Sequence, residues 1–321
     1  MALNRSETNT AILVIKLGAL GDFIQALGPM AAIRAHHKGA RIVLLTSRPY
    51  VALAEASGYV DDIWLDPRPK LFDIGKWRAL RRRLRLGGFR RVYDLQTSDR
   101  SSFYYRLFMP AKPPEWSGIA RGCSHRHANP ERDRMHTIER QKDQLKVAGV
   151  SMTGFAGPAE LDLDWMTADV EGLRPAGPYW LLAPGGAAHR PEKRWPAAHY
   201  AALARHLLDL GATPVVIGGE DERALGAAVA ADAPGTLDLS GRTELLQLAE
   251  LARGAAGAVG NDTGPMHLIA AVGCPSWVLY SNASDPKLCG QRGEHVTLLR
   301  RDSLAGLNPA ELIAALGQGA N

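Results

Sequence analysis

The chain has 321 residues, of which 46% are hydrophobic and 22% are charged. This composition is typical of a soluble globular protein, and the length suits two domains of ordinary size. No apolar run approaches the length of a membrane span, and the polar start (residues 1–10) argues against a signal peptide. Three widely spaced cysteines favour reduced thiols in the cytoplasm over a disulfide framework.

The net charge of +5 is unevenly distributed between the two halves of the chain. Residues 1–160 carry 26 Lys and Arg against 15 Asp and Glu, whereas the remainder has 12 against 18. A basic half beside an acidic half indicates that the basic half binds something anionic.

In chain order, the first half alternates between apolar strands and helices. We predict strands at 11–16, 41–46, 62–65 and 92–96, and helices at 22–35, after Pro49, at 71–86 and at 136–148. Residues 109–134 do not continue this alternation and are rich in Pro, Gly, Arg and His. Residues 151–178 hold several Gly and Pro, so we place the interdomain connection there.

The second half repeats the alternation. Strands are predicted at 179–183, 214–217 and 236–239, with helices at 195–210, 221–231 and 244–253. An apolar run that ends at Val259 leads into a helix that begins near Thr263 and Pro265, and a further strand follows Gly273.

This alternation predicts an α/β fold of two Rossmann-like domains facing a central cleft, at 1–160 and 161–321. The last helix, at 309–316, could pack back on the first domain.

The first strand ends in the sequence Lys-Leu-Gly-Ala-Leu-Gly-Asp, which closes at Asp22. The three-glycine spacing of a dinucleotide loop is absent, which argues against NAD in this half. At the edge of a cleft, an ionised Asp22 can take a proton from an attacking hydroxyl. The alternative is an ordinary helix cap, a common use of Asp.

Three loops in the second half could bind a nucleotide. The glycine turn 184–186 and Lys193 could hold a diphosphate, Glu222 follows another glycine pair, and Thr263 opens a helix whose N-terminus suits phosphate. Each loop also has an ordinary structural interpretation. A Walker loop is missing, so ATP hydrolysis is not expected.

The motifs KLGALGD, YDLQTSDRSS, EKRWP, IGGEDE and NDTGPMHLIAA occur in the order seen in one known family. From about residue 11 to 316 the chain resembles the ADP-heptose:lipopolysaccharide heptosyltransferases, glycosyltransferase family nine. The resemblance implies a GT-B fold, no metal and no cofactor. The sequence departs from the family pattern at 187–189 and at 17–19, and both departures bear on which nucleotide sugar is the donor.

The resemblance also implies roles for individual residues. Asp22 would be the general base. Lys193, Thr263 and Gly264 would hold the donor diphosphate, and Glu222, Asp262 and His267 would line the nucleotide-sugar pocket. For the anionic glycolipid acceptor we expect contacts from Gln96, Arg121 and His136. One carboxylate base suffices for an inverting transfer, whereas a retaining glycosidase needs a close pair.

The stretch 76–91, from Lys76 to Arg91, contains eight Lys and Arg and no acid. It could contact an anionic membrane face or the acceptor, or be a solvated helix surface. Nucleic acid is not expected because aromatic residues are sparse. A metal at Cys123, His125 and His127 is also disfavoured, because paired ligand spacing is missing.

Three functions stay open at this point. The first is an inverting transfer of heptose from a nucleotide-diphosphate sugar, in the cytoplasm or against the inner membrane face. The second is an NAD-dependent nucleotide-sugar epimerase or dehydrogenase, and the third is a non-catalytic sugar-nucleotide or lipid-surface binding protein.

Overall fold

A computed structural model describes residues 11–187 and 189–318. The polar start at 1–10, which we interpret as arguing against a signal peptide, and Ala188 of the 187–189 loop lie outside the described residues. The chain divides into two compact units, with the boundary between Leu161 and Asp162. Along the described residues, every helix is too short or too polar to cross a membrane.

The first unit contains a six-stranded sheet in which all paired strands are parallel, in the order β3-β2-β1-β4-β5-β6. Its strands are β1 (Ala11–Ile15), β2 (Arg41–Thr46), β3 (Asp62–Leu65), β4 (Phe89–Asp94), β5 (Glu115–Gly118) and β6 (His125–Arg126). Its helices are α1 (Leu20–Gln25), α2 (Leu27–His36), α3 (Val51–Ser57), α4 (Ile74–Leu86), α5 (Asp99–Arg106) and α6 (Thr137–Val147).

The second unit repeats this topology, with the sheet order β12-β11-β10-β7-β8-β9. Its strands are β7 (Tyr179–Ala183), β8 (Thr213–Val216), β9 (Leu237–Asp238), β10 (Gly257–Asn261), β11 (Ser276–Tyr280) and β12 (Val296–Arg300). Its helices are α7 (Ala197–Asp209), α8 (Arg223–Asp232), α9 (Leu245–Gly254), α10 (Gly264–Ala271), α11 (Pro286–Cys289) and α12 (Pro309–Gln318).

Both sheets have the strand order of a Rossmann fold, which reverses beside the first strand of each unit. The switch points lie between β1 and β4 and between β7 and β10, and ligands bind beyond the carboxyl ends of the strands at such points. The loops after these four strands carry most of the residues singled out in the sequence.

Several predicted elements differ from the structure for identifiable reasons. The helix predicted at 22–35 is interrupted at Ala26, because Pro29 lacks an N–H and its ring clashes with the carbonyl four residues earlier. The region 109–134 contains β5 and β6, which are too short to show a strand period. The closing helix α12 contributes Leu312 and Leu316 to the core of the second unit, where it contacts α7.

Candidate active site

Asp22 lies in the first turn of α1, directly after the loop that leaves β1. Its Oδ2 accepts a hydrogen bond from the backbone N–H of Ala19 over 3.3 Å, so the carboxylate helps to fix the start of the helix. Gly18 in this loop has φ of 125°, and a side chain there would also meet the hydroxyl of Tyr50. The loop therefore requires glycine at this position.

The half-buried Asp22 lines a polar cavity of about 180 Å³ at the carboxyl edge of the first sheet. Three cations share this cavity, Lys16, Arg132 and Arg140, together with Leu95, Gln96, Thr97, Thr137, Gln141 and Gln144. Asp22 is the only carboxylate among the described residues that line the cavity, and these residues together carry a net positive charge. Such a cavity attracts an anionic group.

The cations of this cavity are buried or half-buried, so a nearby negative group stabilises their charged forms. Lys16 is 3% exposed, and its Nζ donates to the carbonyl of Leu95 over 3.3 Å. Burial lowers the pKa of Lys16, and the carboxylate of Asp22 opposes that shift. The pKa of Arg140 is also lowered, by burial and then by the nearby charge of Arg132.

Two buried polar atoms on the cavity residues remain unpaired. Arg132 Nε and Gln141 Oε1 have no hydrogen-bond partner within residues 11–187 and 189–318. A buried donor and acceptor without partners are costly, so a polar ligand would find groups there that are ready to bind.

The three residues expected to contact the acceptor lie in different surroundings. Gln96 lines the cavity, and its Oε1 accepts from the N–H of Leu17 over 2.8 Å. His136 is buried and caps α6, because its Nδ1 accepts from the N–H of Ile138 over 3.2 Å. Arg121 is exposed after β5 and is not a lining residue of this cavity.

Asp94, at the end of β4, is a buried carboxylate that sequence reasoning missed. Its Oδ1 accepts from the N–H groups of Gln96 (3.2 Å) and Thr97 (2.9 Å), which fixes the turn that carries Gln96. Thr97 adopts a φ of 45°, which is rare for a β-branched residue. Burial raises the pKa of Asp94 to about 6, against the effect of these hydrogen bonds and of Lys16.

In the second unit, Lys193 and Asp262 form an ion pair at the carboxyl edge of the sheet. The distance between Lys193 Nζ and Asp262 Oδ2 is 2.7 Å, and their side chains are 13% and 8% exposed. Burial alone would raise the pKa of Asp262, but the hydrogen bond and charge of Lys193 hold it below its usual value. The pair fixes the ammonium group beside the start of α10.

Thr263 is the N-cap residue of α10, and Gly264 is the first residue of the helix. The Oγ1 of Thr263 is buried and lacks a hydrogen-bond partner in the part of the chain that the structure describes. The first amides of any helix need partners from outside the helix, and anions are favoured there. His267 is buried in the same helix and lies close enough to lower the pKa of Asp262, as the weakest of the contributing causes.

The carboxylate of Glu222 accepts hydrogen bonds from two glycine loops. Its Oε1 accepts from the N–H of Gly186 over 2.7 Å, and its Oε2 accepts from the N–H of Gly219 over 2.9 Å. A Cβ at Gly185 would lie 1.9 Å from Oε1, so a side chain at this position would push the Glu222 carboxylate aside. Glu222 thus holds the Pro184–Gly186 turn in place.

Asn261 is a second buried polar residue that sequence reasoning missed. It is fully buried at the end of β10, where its Nδ2 donates to the carbonyls of Pro184 (2.8 Å) and Gly185 (3.0 Å). Its Oδ1 accepts from the N–H of Trp195 over 3.0 Å and from the hydroxyl of Tyr200 over 3.2 Å. One amide therefore connects the glycine turn, the segment after Lys193 and α7.

The residues around Cys123 take part in hydrogen bonds of the fold. His127 Nε2 lies 2.9 Å from Asp143 Oδ2, and Cys123 Sγ lies 3.8 Å from the carbonyl oxygen of Gly118. Burial raises the pKa of the Cys123 thiol. Among the described residues, no group of three or more His, Cys, Asp or Glu side chains could hold a metal ion.

The chain is similar to known proteins of one family. A model of glycosyltransferase family 9 (heptosyltransferase) matches residues 77–304. Lipooligosaccharide heptosyltransferase 2 of Haemophilus influenzae is 32% identical over 120 residues, which are 36% of this chain and 34% of that protein. The chain spans about a third of the length of the curated relatives that it matches.

Solved structures resemble the whole fold. A family 9 glycosyltransferase from Veillonella parvula has a TM-score of 0.81 at 20% identity, with 98% of each chain covered. The E. coli heptosyltransferase WaaC, solved with ADP, has a TM-score of 0.74 at 20% identity, covering 97% of this chain and all of the other. These likenesses confirm the predicted class of two Rossmann-like α/β domains.

The family model covers more than two thirds of the chain and the predicted resemblance is confirmed, so the chain belongs to glycosyltransferase family 9.

Proposed function

We propose that the chain is an inverting glycosyltransferase that moves a heptose, or a related sugar, from a nucleotide-diphosphate sugar to an anionic lipopolysaccharide-core-type glycolipid. The observation that carries the proposal is the grouping of Lys193, Asp262 and the start of α10 at one sheet edge, in a chain of this family. ADP-heptose is the proposed donor because one structural relative, WaaC of E. coli, was solved both with ADP and with ADP-2-deoxy-2-fluoro heptose.

The second unit would bind the donor. Negative charge grows on the diphosphate as the bond to the sugar breaks, and a fixed ammonium with helix amides stabilises that charge. Lys193 keeps two further donors beyond the one directed at Asp262, so it can serve the carboxylate and a phosphate together. Thr263 Oγ1 and the Gly264 amide would bind the same phosphates, with Glu222 and His267 in the surrounding pocket.

The first unit would bind the acceptor and supply the base. Asp22 would take the proton from the acceptor hydroxyl while the oxygen attacks the anomeric carbon of the sugar. The new C–O bond forms as the bond from that carbon to the diphosphate oxygen breaks, and the nucleoside diphosphate leaves. Lys16, Arg132 and Arg140 would bind an anionic group of the acceptor beside the base. Gln96 contacts the same cavity, and Arg121 and His136 remain proposed acceptor residues outside it.

The reaction needs no cofactor and, as the family resemblance implies, no metal. We also propose that the chain works in the cytoplasm, peripheral to the inner face of the inner membrane. The basic stretch from Lys76 to Arg91 is its proposed membrane contact.

The test is turnover of ADP-heptose with a Kdo-lipid acceptor by the wild type and by Asp22→Asn. Removing a general base lowers turnover by about 10²–10⁴-fold, while donor binding should persist because the donor residues are unchanged. Asp99→Asn is a matched control, because Asp99 is an exposed first-turn acid of α5 in the same unit. Unchanged turnover in Asp22→Asn would reject the base assignment.

Binding of nucleotides separates the donor from its alternatives. In a thermal-shift series of ADP, UDP, GDP and dTDP, the cognate diphosphate should raise the apparent melting temperature most. An epimerase or dehydrogenase would carry a nicotinamide that is visible in the absorbance of the purified protein. A non-catalytic binding protein would bind ADP-heptose without any transfer to the acceptor.

A further inference from the structure

The helix α4 has two sides of opposite character. Leu80 and Leu84 are buried against the first unit, whereas Arg78, Arg82 and Arg85 are exposed. Spacings of four and three residues bring these arginines to one face of the helix. This arginine face borders an open depression of about 540 Å³ that Arg81 and Leu86 also line.

Among residues 11–187 and 189–318, no acidic side chain pairs with the arginine face. At the N-terminal end of α4, Lys76 and Asp73 form an ion pair with a distance of 3.5 Å between Nζ and Oδ2. Arg83 packs over the ring of Trp64, 4.2 Å from the ring centroid. In the part of the chain that the structure describes, no ion pair involves Arg78, Arg82 or Arg85.

Large apolar side chains stand exposed just before this face. Leu71 is 80% exposed, Phe72 is 86% exposed and Ile74 is 61% exposed, so three apolar residues in a row of four contact solvent. Ile74 also precedes Arg78 by four residues, which continues the arginine face into the apolar segment. We call Leu71, Phe72 and Ile74 the apolar ridge.

Beside the ridge lies a mostly apolar groove of about 500 Å³. Leu71, Trp77, Phe103 and Leu107 line it, with Pro69, Lys70 and Arg100. A contiguous exposed apolar surface of this kind marks an interaction site in soluble proteins. Its occupant must present hydrocarbon to the ridge and negative charge to the adjoining arginines.

We propose that the apolar ridge and the arginine face form one docking surface for an anionic phospholipid bilayer. Leu71 and Phe72 enter the boundary between headgroups and acyl chains, while Arg78, Arg82 and Arg85 contact lipid phosphates. Amphipathic segments bind membranes by this combination of buried apolar area and electrostatic attraction. The helix α4 then lies along the surface with Leu80 and Leu84 turned into the protein.

The apolar ridge adds to the basic stretch an inserted apolar element, whose binding depends differently on salt. Electrostatic adsorption is screened at about 1 M salt, where the Debye length is about 3 Å. Hydrophobic insertion persists under those conditions. The inference rests on the proposed function only in that a glycolipid acceptor would lie in the same membrane.

The experiment is sedimentation of the full-length chain with vesicles of phosphatidylcholine alone or mixed with phosphatidylglycerol. Neither donor nor glycolipid is present, so vesicle binding without sugar transfer in the separate assay would refute only the proposed function. The wild type should bind the mixed vesicles far more strongly than the neutral ones, and part of that binding should survive high salt.

Two variants remove the two components separately. R78Q/R82Q/R85Q should lower binding at low salt by about 100-fold, since each basic residue near an anionic surface contributes about 1 kcal/mol. L71S/F72S should remove the salt-resistant part, a loss of about tenfold or more. All five replaced side chains are exposed, so the circular dichroism and the melting temperature of both variants should match those of the wild type.

Matched controls remove the same chemistry elsewhere. R106Q/R126Q/R292Q deletes three exposed arginines, and V147S/L210S deletes two exposed apolar side chains. Both controls should bind vesicles like the wild type. Equal loss in variants and controls, equal binding to neutral vesicles, or no vesicle binding would overturn the proposal. Arginine-dependent binding of RNA without vesicle binding would also overturn it and would identify a nucleic-acid surface.

Discussion

Replacing Asn261 with Ala is expected to loosen the donor-binding edge of the second unit. The side chain is fully buried, and its amide makes four hydrogen bonds of 2.8 to 3.2 Å. Those bonds reach the glycine turn, the N–H of Trp195 and the hydroxyl of Tyr200. Alanine removes all four and supplies no replacement.

The expected loss of stability follows from the donors and acceptors that lose Asn261 as their partner. A buried donor or acceptor without a partner costs about 1–3 kcal/mol. The single hydroxyl hydrogen of Tyr200 can turn fully to the carbonyl of Ala183, which also lies 3.2 Å away, so Tyr200 loses less than Trp195, whose N–H depends on Asn261 Oδ1. We expect a net loss of about 2–4 kcal/mol in the free energy of unfolding of the second unit.

The assay is calorimetric melting with and without ADP. A domain of this size loses about 2–4 °C per kcal/mol, so N261A should lower the transition of the second unit by about 5–15 °C. Asn282→Ala is the matched control, because Asn282 is exposed in the same unit. If N261A melts within about 1 °C of N282A, which is less than the effect of 1 kcal/mol, Asn261 does not join these segments as we describe.

Three further predictions concern Lys193, the glycine turn and Asp94. Lys193→Met should weaken ADP binding by about 10–100-fold, since a hydrogen bond to a charged group contributes about 1.5–3 kcal/mol, whereas exposed Lys287→Met should bind ADP normally in calorimetry. In urea unfolding, Gly185→Ala should destabilise the second unit by about 1–3 kcal/mol, because its Cβ would displace the Glu222 carboxylate from the two N–H groups that it binds, whereas Gly186→Ala, whose Cβ would lie 3.5 Å from Arg194, should cost less than about 1 kcal/mol. Burial raises the pKa of Asp94 to about 6, so its contribution to the free energy of unfolding falls as pH rises from about 4 to 6, by about 3 kcal/mol. Burial lowers the pKa of His37 to about 4, which makes the free energy of unfolding rise with pH over this range. The measured quantity is therefore the difference in the free energy of unfolding between D94N and the wild type, in which the effect of His37 cancels. A pH-independent difference would contradict the assignment.

Much of the fold was predictable from sequence because long apolar strands alternate with helices. The strands β2, β3 and β7 begin and end at the predicted residues. The errors fall where the local signal is weak, at the two-residue β6 and at β12, whose central residues are half-exposed or exposed. Neither strand carries the continuous apolar run that marks a buried parallel strand.

The site was less predictable, because its geometry depends on contacts far apart in sequence. Lys193 and Asp262 are 69 residues apart, and nothing local indicates that they pair. Asn261 and Asp94 resemble ordinary polar residues at strand ends. A usable signal was their position as the last residues of buried strands at a switch point, where side chains commonly organise the loops that bind ligands.

Asp22 and Asp94 both lie close to Lys16, so the choice of base between them needs a physical reason. A carboxylate whose pKa is near the working pH is the better base on proton affinity alone, which favours Asp94. Geometry favours Asp22, because a base must come within hydrogen-bond reach of the substrate proton. Asp22 lines the cavity, whereas Asp94 is fully buried with Oδ1 bound by two backbone amides. D94N should therefore keep most of its turnover while its stability profile changes, and D22N should lose turnover while its fold is kept. The reverse outcome would move the proton-accepting role to Asp94.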